Sequence, residues 1–176
     1  MILRHQKIGG PGLIVEIDES KFGRRKYHRG HRVEGQWVFG GVERETGRCF
    51  LVPVEKRDKD TLLTIIKEWI LPGTLIISDW KSYNCLKDEG YSHLTVNHSI
   101  EFKNPENGAH TNNVEGMWRH AKASMTQYSR KKHFYAGYLA KYMFLKVCRS
   151  SGLNPLVEFF KLAAQVYDPN GQTLDT

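Results

Sequence analysis

Two apolar runs too short to be helices, Leu13-Ile14-Val15-Glu16-Ile17 and Leu75-Ile76-Ile77-Ser78, each lead straight into an aspartate, Asp18 and Asp79. Between them the hydrophobic period changes. Leu62, Ile65, Ile66 and Trp69 recur at helical spacing, and Pro72-Gly73 ends the pattern. A helix that feeds a strand back beside an earlier one does so by a right-handed crossover, which makes the two strands parallel. Parallel neighbours end on the same side of a sheet. Asp18 and Asp79 are therefore expected to meet at one sheet edge.

The intervening segments complete the architecture. Gln36–Val42 and Cys49–Val54 are aromatic and β-branched runs around the turn Glu45-Thr46-Gly47-Arg48, a hairpin signal. A short helix is expected over Trp80–Lys87, a weaker fifth strand over His93–Asn97, and a polar loop over Ser99–Gly108. Helices follow over residues 112–124, 134–148 and 155–167. Three antiparallel strands, a helix, a parallel strand, a helix, a strand and more helices make an α/β chain with a five-stranded mixed sheet. That order is the ribonuclease-H-like fold. Gly9-Gly10-Pro11-Gly12 sets off residues 1–12 as an N-terminal lead, 13–153 are expected to form the ribonuclease-H-like domain, and 154–176 a C-terminal helix and tail.

Glu115 opens the first of the late helical patterns, and Lys122 lies seven residues on, almost two turns away and on the same face. Two strand-end aspartates and a helix glutamate can hold two divalent ions around a phosphate. Each acid has a plainer use. Asp18 and Asp79 could end strands at turns, and Asp79 could cap the next helix. Asn112-x-x-Glu115 also reads as a capping box with Asn112 as N-cap. Asn112 and Asn113 are neutral alternatives for the third ligand. Glu19 competes with Asp18, and because strand neighbours point to opposite faces only one of the two is expected to face the metal. Val114, Met117, Trp118, Ala121 and Met125 form the apolar stripe of the helix. Trp80, Tyr83 and Trp118 are read as core or cleft-lining aromatics.

The net charge of +7 and pI near 9.3 suit a polyanionic partner, and the positive charge is clustered. Lys21, Arg24, Arg25, Lys26, Arg29 and Arg32 form one block after Asp18, and Arg119, Lys122, Arg130, Lys131 and Lys132 follow Glu115. Both blocks are expected to grip DNA backbone. Three widely spaced cysteines, Cys49, Cys85 and Cys148, offer no zinc pair and no disulfide framework. His28-Arg29-Gly30-His31 lacks further ligands nearby. The N-terminus has no apolar core of signal-peptide length, and no apolar stretch would cross a membrane. The chain is expected to stay where it is made: cytoplasmic and nucleoid-associated in a bacterium, nuclear in a eukaryote.

Longer motifs sharpen this. Ile14–Phe22, Trp37-Val38-Phe39-Gly40-Gly41, Ser78-Asp79-x3-Tyr83, His98-Ser99 and Asn104–Trp118 together resemble one group of DDE transposases. The group comprises bacterial insertion-sequence transposases and the related Merlin transposons of animals, and the resemblance spans roughly residues 7–153. It implies that Asp18, Asp79 and Glu115 are the catalytic and metal-binding acids, with Asn112 in the third place in some relatives. It implies Mg²⁺ or Mn²⁺, two ions, as cofactor, and DNA (transposon ends and target) as partner, with a homodimer or larger assembly on DNA. The implied reaction is in-line phosphoryl transfer, first cleavage by water and then strand transfer by a 3′-hydroxyl. Two other outcomes are compatible with the acids: a ribonuclease-H-like nuclease without strand transfer, and a catalytically idle DNA-binding remnant. Relatives usually carry a zinc-ribbon or helix-turn-helix region first, whereas residues 1–17 alone precede Asp18. A catalytic fragment, a truncated copy or a degenerate one is therefore expected, with weak, salt-sensitive and nearly sequence-independent DNA binding.

Overall fold

The computed structural model describes residues 7–23, 35–79, 81–96, 110–125 and 132–167, with the backbone alone for 81–84. Strands β1 (Ile8–Gly9), β2 (Ile14–Phe22), β3 (Gln36–Glu43) and β4 (Cys49–Val54) precede helix α1 (Lys59–Trp69). Strands β5 (Ile70–Leu71) and β6 (Leu75–Ser78), a 3₁₀ segment (Lys81–Glu89) and β7 (Ser92–Thr95) follow. Helices α2 (Asn112–Ala123), α3 (Tyr135–Ser150), entered through a 3₁₀ turn (Lys132–Phe134), and α4 (Pro155–Val166) complete the described chain.

The main sheet has the order β4-β3-β2-β6-β7. β2, β3 and β4 are antiparallel neighbours, while β6 and β7 run parallel to β2. This is the ribonuclease-H-like arrangement that the order of periodicities predicts. Val15 and Ile17 of β2 join Phe39, Phe50, Leu62 and Ile66 in a core under α1, all of them buried. The alternate face carries Val38, Val42, Leu51 and Phe22, packed against Val114, Met117, Trp118 and Leu139 of α2 and α3. Period 2 along β2 thus decides which residues look at which helices.

Several boundaries differ from expectation. β2 runs through Asp18 to Phe22, because the antiparallel ladder with β3 continues to the pair Phe22 and Gln36. α1 stops at Trp69, and Ile70–Leu71 becomes a strand paired in parallel with Ile8–Gly9. The N-terminal lead is therefore stitched to the domain, and Ile8 is buried in the core. The short helix expected after Asp79 is a 3₁₀ segment over Lys81–Glu89. Among the described residues, no helix is long and apolar enough to cross a membrane.

Candidate active site

Asp18 and Asp79 meet where two ladders end at different heights. β2 and β6 pair from Ile14 and Leu75 up to Glu16 and Ile77, and then β6 stops while β2 continues along β3. Continuing that register would set Asp18 beside Asp79. β2 therefore has an open edge from Ile17 onward on the β6 side. Ser78, next to Asp79, is buried, and its hydroxyl lies 2.9 Å from His93 Nε2 on β7, which ties the end of β6 down.

Carboxylate oxygens of Asp18, Glu19 and Asp79 lie within 4.8 Å of one another. Strand alternation leads one to expect only one of Asp18 and Glu19 at the metal position, yet both lie in this group. At an open strand edge both faces of β2 can be reached from the rim, so alternation does not separate neighbours there. The cleft holding these acids, about 370 Å³, is also lined by Trp37 and Arg57. The Arg57 guanidinium lies 3.6 Å from the centre of the Trp37 ring, and Lys21 Nζ lies 5.7 Å from it. Arg57 escaped the sequence reading because it sits in a polar stretch after β4, far along the chain from Asp18, Glu19 and Asp79.

Burial, with the Asp79 charge beside it, pushes the Asp18 carboxyl up to about 6. Glu115 adds to the rise, while the Glu19 N–H and the Trp118 indole oppose it. The Glu19 backbone donates to Oδ1 at 2.7 Å and Trp118 Nε1 donates to Oδ2 at 2.9 Å. Trp118 is thus both a core residue and the group that orients Asp18. Gly40 makes room for it: a Cβ there would lie 2.7 Å from Trp118 Cη2, and Gly40 is the β3 partner of Asp18. The motif Gly40-Gly41 was the available signal.

Helix α2 is placed from β2. Thr111, rather than Asn112, is the N-cap, and it forms no side-chain cap bond. The amide protons of Asn113 and Val114 go to Glu16 Oε2 at 2.9 and 3.0 Å, and Asn113 Nδ2 donates to Oε1 at 2.8 Å. Arg44 Nε donates to the same Oε1 at 2.7 Å and Arg44 Nη2 to the His110 carbonyl at 2.7 Å. Glu16 is fully buried. The capping box is replaced by a carboxylate from a strand 97 positions earlier, which also suits the positive end of the helix. Glu16 has no local signal beyond being an acid inside an apolar run.

Glu115 is exposed on the first turn of α2, with Thr111 Oγ1 3.5 Å from its Oε1. It lies outside the tight carboxylate group, although its charge reaches Asp18. Asn112 and Asn113 are also exposed, and Asn113 is engaged with Glu16. Lys122 Nζ donates to Ser20 Oγ at 2.7 Å and sits 5.3 Å from the centre of the Phe22 ring, so it lies over β2 two residues past Asp18. Arg119 and Lys21 are exposed. Arg24, Arg25, Lys26, Arg29 and Arg32 lie outside the described residues, as do Trp80, His98-Ser99, Asn104–Ala109, Arg130 and Lys131.

A divalent cation fits this donor set. Oxygen ligands from three acids converge there, and the repulsion between the Asp18 and Asp79 carboxylates would be relieved by a hard cation. The family model described as ISXO2-like transposase domain matches residues 8–144. The chain belongs to this transposase family. It is 32% identical over 90 residues to an uncharacterized transposase-like protein of Haemophilus influenzae, covering 49% of this chain and 72% of that one. A chain of the simian T-cell lymphotropic virus intasome in complex with PP2A regulatory subunit B56 gamma superposes with TM-score 0.50 at 17% identity. That match covers 81% of this chain and 53% of that one. The HTLV-2 integrase catalytic core, solved with magnesium, superposes with TM-score 0.48 at 14% identity, over 79% of this transposase chain and 87% of the viral core.

Proposed function

We propose that residues 13–153 are the catalytic domain of a DDE transposase of the insertion-sequence and Merlin kind, which cleaves DNA strands and joins them to a target. The observation that carries this is the convergence of Asp18 and Asp79, from separate parallel strands, onto one open sheet edge. Asp18, Asp79 and Glu115 are the proposed catalytic acids. Two Mg²⁺ or Mn²⁺ ions held by them would neutralise the phosphate and activate the attacking hydroxyl. Glu19 is a fourth candidate oxygen donor, placed closer to the aspartates than Glu115.

The chain's own residues do the positioning. The Trp118 indole and the Glu19 amide fix the two oxygens of Asp18. Glu16 seats the helix that carries Glu115. Lys122 and Arg119 hold DNA backbone beside the acids, and the Lys21–Arg32 block extends that grip without reading sequence. A homodimer or larger assembly on DNA brings two ends together.

The test is a labelled duplex carrying terminal inverted repeats, incubated with Mg²⁺ and a target plasmid. Asp18→Asn, Asp79→Asn and Glu115→Gln are expected to abolish cleavage and joining while far-UV circular dichroism is unchanged. Glu19→Gln is expected to keep at least a tenth of the rate. Full activity in either aspartate variant would overturn the assignment. Cleavage without joining would make the chain a nuclease.

A further inference from the structure

We propose that the groove between α2 and α3 is a second DNA-binding surface, distinct from the acidic cleft. The identity of its polyanion rests on the DNA-processing function proposed above. The groove, about 700 Å³, is lined by Arg44, His120, Lys141, Lys146 and Arg149. Among its described lining residues the one carboxylate is Glu43, and Glu43 is fully buried. The Gly9 amide donates to Glu43 Oε2 at 2.6 Å and Arg48 Nη2 at 2.9 Å, so its charge is spent inside the fold.

The two helices that wall the groove are strongly biased in charge. Across Asn112–Ala123 and Tyr135–Ser150 the sole acid is Glu115. Glu115 and Lys122 share the face of α2 that looks toward Asp18 and Ser20, while Asn113, Gly116 and His120 line the groove on the other flank. One polymer class, DNA, then meets positive charge on both sides of α2.

The spacing suits a nucleic-acid strand. Lys141 and Arg149, both exposed, are eight residues apart, about 12 Å along α3. One DNA strand places a phosphate roughly every 3.4 Å of helix axis, so the two cations bracket about four phosphates. Tyr138 and Tyr142, one turn apart, lie between and beside them and offer flat apolar surface to the sugars. An acidic peptide could neutralise the same cations, but it has no use for a second cationic flank beside the carboxylate cleft.

The experiment is fluorescence anisotropy of the full chain on a labelled duplex in EDTA, over a series of salt concentrations. Lys141→Ala/Arg149→Ala is expected to lower the slope of log K against log salt by about 2, since each phosphate contact contributes roughly 0.9. Adding Lys122→Ala should lower it by about one more, because that side chain serves the other flank. An unchanged slope in the double variant, with an unchanged melting temperature, would overturn the proposal. So would a glutamate-rich peptide that competes with the duplex at equal concentration and loses as much affinity in the double variant. No cleavage is needed. A wild-type chain that fails to cut DNA but shows the slope change would sink the proposed reaction and support the groove.

Discussion

Glu16→Ala should be the most damaging single change near the site that leaves every proposed metal ligand in place. Glu16 is fully buried and accepts from two helix amides, the Asn113 side chain and the Arg44 guanidinium, whose side chain is 20% exposed. Removing one partner of a buried charge pair costs about 3–5 kcal/mol, because the remaining charge and the amides lose their acceptor. For a domain of this size that is a fall in Tm of about 10 °C, at roughly 2–4 °C per kcal/mol. Glu16→Gln keeps an acceptor oxygen for the amides and should cost about half as much. Urea denaturation followed by far-UV circular dichroism, without metal, measures both. A double cycle with Arg44→Ala should show coupling above about 1 kcal/mol. A Glu16→Ala protein within 1 kcal/mol of wild type would refute the claim that this carboxylate seats α2.

Other outcomes follow from neighbouring contacts. Asp18 titrates near 6 in the fold against an ordinary value of 3.8, so the fold disfavours its charged form. Its contribution to stability is complete below about pH 4 and is lost as pH rises through 6, with a ceiling of about 3 kcal/mol before solvent screening. Asp18→Asn should therefore flatten the metal-free stability profile between pH 4 and 7, and an unchanged profile in urea titrations would contradict this. Mg²⁺ at pH 7 should raise the wild-type Tm, by about 2.7 kcal/mol of stability at a hundred times Kd, and should leave Asp18→Asn unmoved. Gly40→Ala puts a methyl 2.7 Å from Trp118 Cη2 and 2.9 Å from the Phe50 carbonyl oxygen; a loss of about 1–3 kcal/mol with altered tryptophan fluorescence is expected, and wild-type values would argue against that packing. Trp118→Phe removes the indole donor to Asp18 and should lower the cleavage rate about tenfold with DNA affinity kept, since one hydrogen bond to a charged group is worth roughly 1.5 kcal/mol; a wild-type rate would show that the indole does not orient Asp18.

The order of strands and helices was legible in the amino-acid sequence because period is a local property. The short apolar run of β2, the 3.6-residue stripe Leu62-Ile65-Ile66 and the stop at Pro72-Gly73 are each read within one window, and together they imply the parallel return of β6 beside β2. The meeting of Asp18 and Asp79 follows from that topology alone. Tertiary structure decided what depends on register and on partners distant along the chain. β6 ends while β2 continues, which opens the strand edge and admits Glu19 beside the aspartates. Glu16 supplants the expected capping box because a fully desolvated carboxylate, aimed at the first amides of α2, satisfies more donors than a local side chain could. Trp118 reads as stripe in sequence, yet its one polar atom needs an acceptor when buried, and the fold places Asp18 there. Such pairings are set by how the sheet and helix pack, which no window along the chain contains.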